Sequence, residues 1–277
     1  MGNSTCAATV NQQFYFQGPP RFDVGLLPIP LQAWLLPDDQ ATWIVGKNAL
    51  IDADVGAVFC ASPRSDAAQS EAALLVAREV SGRFVSDEPP LLAASRLVSD
   101  DLVIMEQQSG AWTTTACSLC SPTFFSPSHA IGKSLTALHN PVPDGDFGLA
   151  QRIGRIFDHL RPDTILERHN WTVQWSDARH TPDGTPLLAQ AEAADTAEAQ
   201  DNLFLRVERQ TIRKLPNTGA ILFTIRIRLT QLASLLASKQ HRYAFEQAWQ
   251  LAPEAVRGYK KWAVFERHVA ALLIAQQ

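Results

Sequence analysis

Cysteine is scarce in this chain. Four stand among 277 residues, Cys6, Cys60, Cys117 and Cys120, too few for a disulfide scaffold, so a reducing, cytoplasmic setting is expected. The CxxC at Cys117 to Cys120 has no second CxxC and no histidine pair at metal spacing. Its thiols therefore read as small buried apolar groups rather than half of a zinc or redox centre. No charge of one sign dominates either: 24 Lys and Arg face 28 Asp and Glu, a net charge of −4, so no nucleic-acid partner is expected. Long apolar runs are absent. Stretches such as 72–77 and 270–275 stop far short of the roughly 20 residues that cross a bilayer, and the first twenty residues lack the basic start and apolar centre of a secretory signal. A soluble protein without a membrane partner is expected. GxGxxG and GxxxxGK[ST] are missing as well, which argues against a nucleotide-binding α/β fold.

What is present supports a large core, since 46% of residues are hydrophobic and only 19% charged. A flexible segment over 1–20 followed by one domain over 21–277 is the expected organisation. Proline and aromatic residues from Phe22 to Trp43 read as an irregular arm wrapping a core. A helix is predicted over Ser65 to Ser81, with Ser65 as N-cap and Gly82 beyond its end, and a second from Pro89 and Pro90 towards Ser99. From Leu102 the pattern changes to a hairpin about Ser109-Gly110. Helices follow near Ile131 to Leu138 and from Phe147 to His159, then a strand over Ile165 to Trp175 with Trp171, Val173 and Trp175 on one face. Residues Ser176 to Asp201 read as a mobile loop, a lid or an interface. Leu203, Leu205 and Val207 alternate as a strand before a helical turn and a bend at Pro216 to Gly219, where glycine serves the turn. Ala220 to Leu229 is a further strand, its Phe223, Ile225 and Ile227 opposed to Thr224, Arg226 and Arg228. Two helices, about Gln231 to Gln250 and Pro253 to Ala275, close the chain. Strands joined by hairpins rather than strand-helix crossovers point to α+β around an antiparallel sheet.

The densest chemistry lies in RVERQTIRKLPNTGAILFTIR, 206–226, where Arg206, Glu208, Arg209, Arg213, Lys214 and Arg226 stand between apolar anchors. Charges in such a place need partners or a charged ligand. By chemistry alone, an Arg206–Glu208 ion pair with a structural role accounts for the motif as well as a ligand site does.

This segment resembles the most distinctive motif of the haem-dependent oxidative N-demethylase family. Five further segments resemble that family in the same order: GLLPIPLQAWLLPDD, LVSDDLVIMEQQSGAWTTTACSLCSPTFF, IGKSLTALHNPVP, ERHNW and APEAVRGYKKW, so the resemblance runs from about Phe22 to Trp262. It implies a PAS-like antiparallel sheet with flanking helices, an N-terminal arm and C-terminal helices, holding haem b (iron). It also implies a monooxygenase that oxidises a small secondary amine with dioxygen and releases formaldehyde. Electrons would come from NAD(P)H through the flavin and iron–sulfur cluster of a separate partner reductase, and this chain has neither a dinucleotide fingerprint nor four clustered cysteines of its own.

Of the seven histidines, His139 stands in the family's His-x-Pro-Val-Pro signature and is the expected metal ligand; at a helix C-terminus the macrodipole alone also favours a histidine. His169 fills the variable position of ERHNW and reads as a partly exposed strand residue. His129, His159, His180, His241 and His268 fall on loops or helix faces, where solvated side chains are the default. Arg168, Arg206 and Arg226 are candidates for the haem propionates because guanidinium matches carboxylate in a planar fork. Glu208 is the expected counter-charge for an ammonium substrate, with Arg226 beside it in the catalytic set, and Trp171 and Phe223 are candidates to cover the haem faces, although both also suit a plain core. The sequence departs from the family pattern at Phe125, where tryptophan is usual, and at Arg228, where an aromatic residue is expected; either change at the pocket would alter the substrate. Two other readings stay open: a PAS-like haem-binding gas or redox sensor, and a non-catalytic family member. A visible spectrum and an amine-dependent formaldehyde assay separate them.

Overall fold

The computed structural model describes residues 18–36, 41–83, 87–140, 142 and 148–276. Residues 1–17 of the expected flexible start, Cys6 among them, Phe147 and the prolines at 141 and 143 lie outside the described residues. Seven strands form one antiparallel sheet: β1 (Leu27–Ile29), β2 (Phe59–Ala61), β3 (Asp101–Gln108), β4 (Ala111–Ser118), β5 (Ile165–Trp175), β6 (Leu203–Lys214) and β7 (Ile221–Gln231). Their order is β1-β5-β6-β7-β3-β4-β2, and with helices on both faces this is an α+β fold.

Turn chemistry sets the hairpins. Ser109 and Gly110 both take positive φ, 51° and 82°, the two-residue connection whose twist matches paired strands. The β6–β7 hairpin closes over Leu215 to Ala220 with Gly219 at φ 72°. It is clamped from the far side by Glu71 on the Asp66–Glu79 helix, whose carboxylate accepts from the Asn217 amide at 2.6 Å, the Thr218 amide at 2.8 Å and the Thr218 hydroxyl at 2.7 Å. Glu71→Ala strands these donors, and a loss of about 2 kcal/mol in unfolding free energy by urea titration is expected.

Strand alternation divides the charged residues between two faces. On the first face Asp101, Val103, Met105, Arg168, Asn170, Glu208, Gln210, Ile212, Phe223, Ile225 and Ile227 converge under the Leu135–His139 and Ala150–His159 helices. A bulge helps: the β3–β4 register jumps between Ile104↔Ala116 and Met105↔Thr114, so Thr114 turns to this face three residues before Cys117 does.

On the second face Arg209 and Arg226 are direct cross-strand partners, an arrangement of like charges that destabilises unless neutralised. Glu167 pairs with Arg209 and Asp100 with Arg226. Their remaining N–H groups bind the arm: Arg209 donates to the carbonyls of Ala33 and Trp34, and Arg226 to that of Leu36. Arg213 lies 4.4 Å over the Trp34 ring. The expected irregular arm is thus bolted to the sheet, although a helix at Ala41–Ala53 begins inside its predicted end.

Three local expectations change. Residues 176–201 are not a loop: Thr185–Ala193 is a helix with proline in its first turn. Asp195 and Glu198 then form a capping box that starts the next helical turn, and Ala191 and Ala199 are buried in the core. The predicted helical turn after Val207 is absent because β6 continues, fully paired with β5 and β7, to Lys214. The C-terminal helices break at Ser238, which caps Lys239–Gln250, and at Lys261, whose φ of 57° ends one helical segment before Trp262–Phe265. Among the described residues no helix is long and apolar enough to cross a membrane.

Candidate active site

Between the first sheet face and its helical cover lies a cavity of about 350 Å³, inside the range of small-molecule sites. Val103, Met105, Leu135, Leu138, Ile153, Phe157, Ile212 and Phe223 make one part of its wall apolar, and Arg168, Asn170, Glu208, Tyr259 and Lys260 make another part polar. The arm contributes Phe22 and Asp23: Phe22 meets the Tyr259 ring edge-on at 5.3 Å and the Asp23 carbonyl accepts from Arg168 at 3.0 Å.

His139 enters from the end of a short helix that Ser134 caps by accepting from the Ala137 amide. Its Nδ1 lies 2.8 Å from the carbonyl of Leu135. A carbonyl only accepts, so Nδ1 carries the hydrogen and the neutral ring keeps its lone pair on Nε2, as a metal-ligating histidine requires. Burial lowers the pKa, the Leu135 carbonyl opposes this and Arg168 adds to it, so the imidazole is neutral around pH 7.

Glu208 accepts from Gln210 at 3.1 Å, Asn170 at 3.3 Å, Thr123 at 3.4 Å and Arg206 at 3.5 Å. Burial favours its protonated form, but Arg206, Lys260 and the Asn170 hydrogen bond outweigh that and hold the carboxyl below its usual range. Lys260 donates to the Asn170 side chain at 3.0 Å; burial brings its pKa down to about 8 against the pull of Glu208, with Arg168 pushing it lower. Asp101 accepts from the amides of Cys120 and Ser121. Burial raises its pKa to about 6 despite Lys47, those amides and Arg206.

The structure brings His139, Arg168, Glu208 and Phe223 to one cavity. Arg206 is fully buried beside Glu208, donating to the Ser121 carbonyl and Gln174, and is not part of the lining. Arg226 is a correction: alternation along β7 turns it away from Phe223 and Ile225, to the second face, where it holds Asp100 and the arm. Trp171 is likewise on the far side, packed at tilted angles into an aromatic cluster with Phe245 and Trp262. Of the two family departures, Phe125 lines the cavity and Arg228 does not. His268, expected in solvent, is fully buried, with Nε2 2.8 Å from the Ala191 carbonyl. Cys117 and Cys120 are buried. Asp101, Asn170, Tyr259 and Lys260 were missed. Asn170 and Lys260 lie inside the ERHNW and APEAVRGYKKW segments, and that is the signal that could have found them.

Among the described residues three buried lining atoms have no hydrogen-bond partner: Thr114 Oγ1, Ser121 Oγ and Arg168 Nε. Orphaned polar atoms in a cavity wall are what a bound polar group would satisfy. An α+β sheet that carries a partly open, mostly apolar cavity with an imidazole in its wall has the form of a small-molecule or cofactor site. Residues 76–270 match the family model described as haem-dependent oxidative N-demethylase, alpha subunit-like, and the chain belongs to that family. It is thereby a relative of haem-dependent oxidoreductases.

Proposed function

We propose that this chain is the haem-binding catalytic subunit of a monooxygenase that removes an N-methyl group from a small secondary amine, built on a PAS-like sheet and supplied with electrons by a separate reductase. The observation that supports it most is His139: its Nδ1 is committed to Leu135, its ring is neutral, and it stands in the wall of an apolar cavity in a chain of this family. The cavity fits haem b in chemistry, offering one imidazole for iron, apolar cover that includes Phe223, and an unsatisfied guanidinium at Arg168.

Haem iron, when bound, supplies dioxygen chemistry that no protein side chain offers. The overall change is R–NH–CH3 + O2 + 2 e− + 2 H+ → R–NH2 + HCHO + H2O, with both electrons from the reductase and one oxygen atom leaving as water. The chain's residues bind and orient. Glu208, ionised and held by Gln210, Asn170 and Thr123, attracts the amine and keeps its nitrogen at the polar part of the cavity. Phe125 narrows the wall less than tryptophan would, leaving room for a substituent larger than methyl. The chain and the helical cover over the sheet exclude water from the apolar part.

The test is purification of the chain with its visible spectrum, followed by turnover with a reductant and a panel of secondary amines. The expected result is a haem spectrum and formaldehyde that depends on amine. A colourless protein that takes up no added haem overturns the proposal.

A further inference from the structure

The cavity wall carries Arg21, Arg168 and Lys260 beside Asp23, Asp101 and Glu208, but two of its cations are not held by a direct ion pair. Arg168 uses Nη1 on the Asp23 carbonyl, and its Nε is buried with no partner. The Nε–Nη2 edge, the side of a guanidinium that grips a carboxylate through two parallel N–H bonds, thus carries no hydrogen bond from the described residues. Among those residues Lys260 donates to the neutral Asn170. Among the described residues no carboxylate lies within 4.0 Å of either cation, while Glu208 is already engaged by Arg206 at 3.5 Å. Two neighbouring cations in a partly buried wall repel each other and lose hydration, a cost that an anion between them removes.

We propose that Arg168 and Lys260 form a carboxylate-binding site at the polar end of the cavity. The carboxylate belongs either to a haem propionate or to a substrate that carries both an N-methylamine and an acid group. The unpartnered guanidinium edge is a property of the apoprotein, so the site stands apart from the haem reading, and its two sources are separable.

The test uses the full chain and two matched pairs of probes. The chain freed of haem is titrated with ferric protoporphyrin IX and with its uncharged dimethyl ester; by calorimetry, the same chain, loaded or not, is titrated with N-methylglycine and with dimethylamine. In at least one pair the acid binds roughly 10–100-fold more tightly, the range set by one charge-assisted hydrogen bond. Arg168→Gln abolishes that preference and Arg168→Lys restores part of it, with far-UV circular dichroism unchanged. Preference in the porphyrin pair assigns the propionate, and preference in the amine pair assigns a substrate acid. No preference in either pair, absence of binding included, overturns the site, as does a preference that persists in folded Arg168→Gln. A chain that binds neither porphyrin sinks the haem reading alone, because the amine pair still decides this one.

A pH series adds an independent readout. The groups facing Lys260 are Arg168 on β5, Glu208 on β6 and the adjacent Tyr259, which burial and Glu208 push above the usual phenol range. Lys260 is the one that changes charge near pH 8, so the acid preference weakens as pH rises through about 8 and that step disappears in Lys260→Gln.

Discussion

His139→Ala is expected to lower the affinity of the purified chain for haem by more than about tenfold, or about 1.4 kcal/mol, and to abolish the wild-type Soret position while leaving far-UV circular dichroism intact. The mutation removes an imidazole that is half-buried on a five-residue helix, outside the buried residues of the sheet's cores. What it removes chemically is the ring whose Nδ1 is held by Leu135 and whose Nε2 keeps the lone pair. Added imidazole should recover part of the spectrum, because the cavity left by truncation admits it. A wild-type spectrum in the mutant would reassign the ligand. His169 is a poor replacement, since its side chain neighbours Glu167 and Arg209 on the second face.

The second large effect is on stability. Arg226→Ala is expected to cost about 3–5 kcal/mol, the range for removing one partner of a buried ion pair, measured by guanidinium unfolding. Arg226 and Asp100 are both nearly inaccessible, with Nη2 2.6 Å and Nε 2.9 Å from one carboxylate oxygen. The other oxygen of Asp100 already lacks a partner, so the stranded carboxylate would be buried with very little to replace the guanidinium. The Leu36 carbonyl loses its donor too, which loosens the arm whose earlier residues line the cavity. Arg226→Met with Asp100→Leu should recover a substantial part of the loss, because the uncompensated charge is then gone. A single mutant within about 0.5 kcal/mol of wild type would show that the pair holds nothing.

These two residues also show where sequence reading succeeds and where it stops. His139 could be nominated from its signature, and the structure places it in the cavity wall. Arg226 was nominated from a motif rich in charge, yet the period-2 alternation that put Phe223 and Ile225 on one face already put Arg226 on the other. The two could not serve one site unless the strand were irregular there, and it is not: all eleven β7 residues pair with β6 in one unbroken register.

Local rules in the chain were enough for much of the framework. Alternation set the span of β5, the Ser109-Gly110 pair set the β3–β4 hairpin, and Ser65 and Pro90 marked helix starts, because those signals act within a few residues. They failed over 176–201, where proline, glycine and acidic residues resemble a loop but Ala191 and Ala199 gain a buried environment from helices distant in sequence. Order and alternation in the sequence alone thus determined an antiparallel α+β protein, and the segments that resemble the family singled out the histidine to examine. Only the tertiary structure decided which sheet face is hollow and which is bolted to the arm. The same decision left Arg168 and Lys260 as cavity cations with no carboxylate within 4.0 Å among the described residues and gave Arg209 and Arg226 theirs, because partners for a buried charge come from whichever segments pack against its face, and no local pattern encodes that.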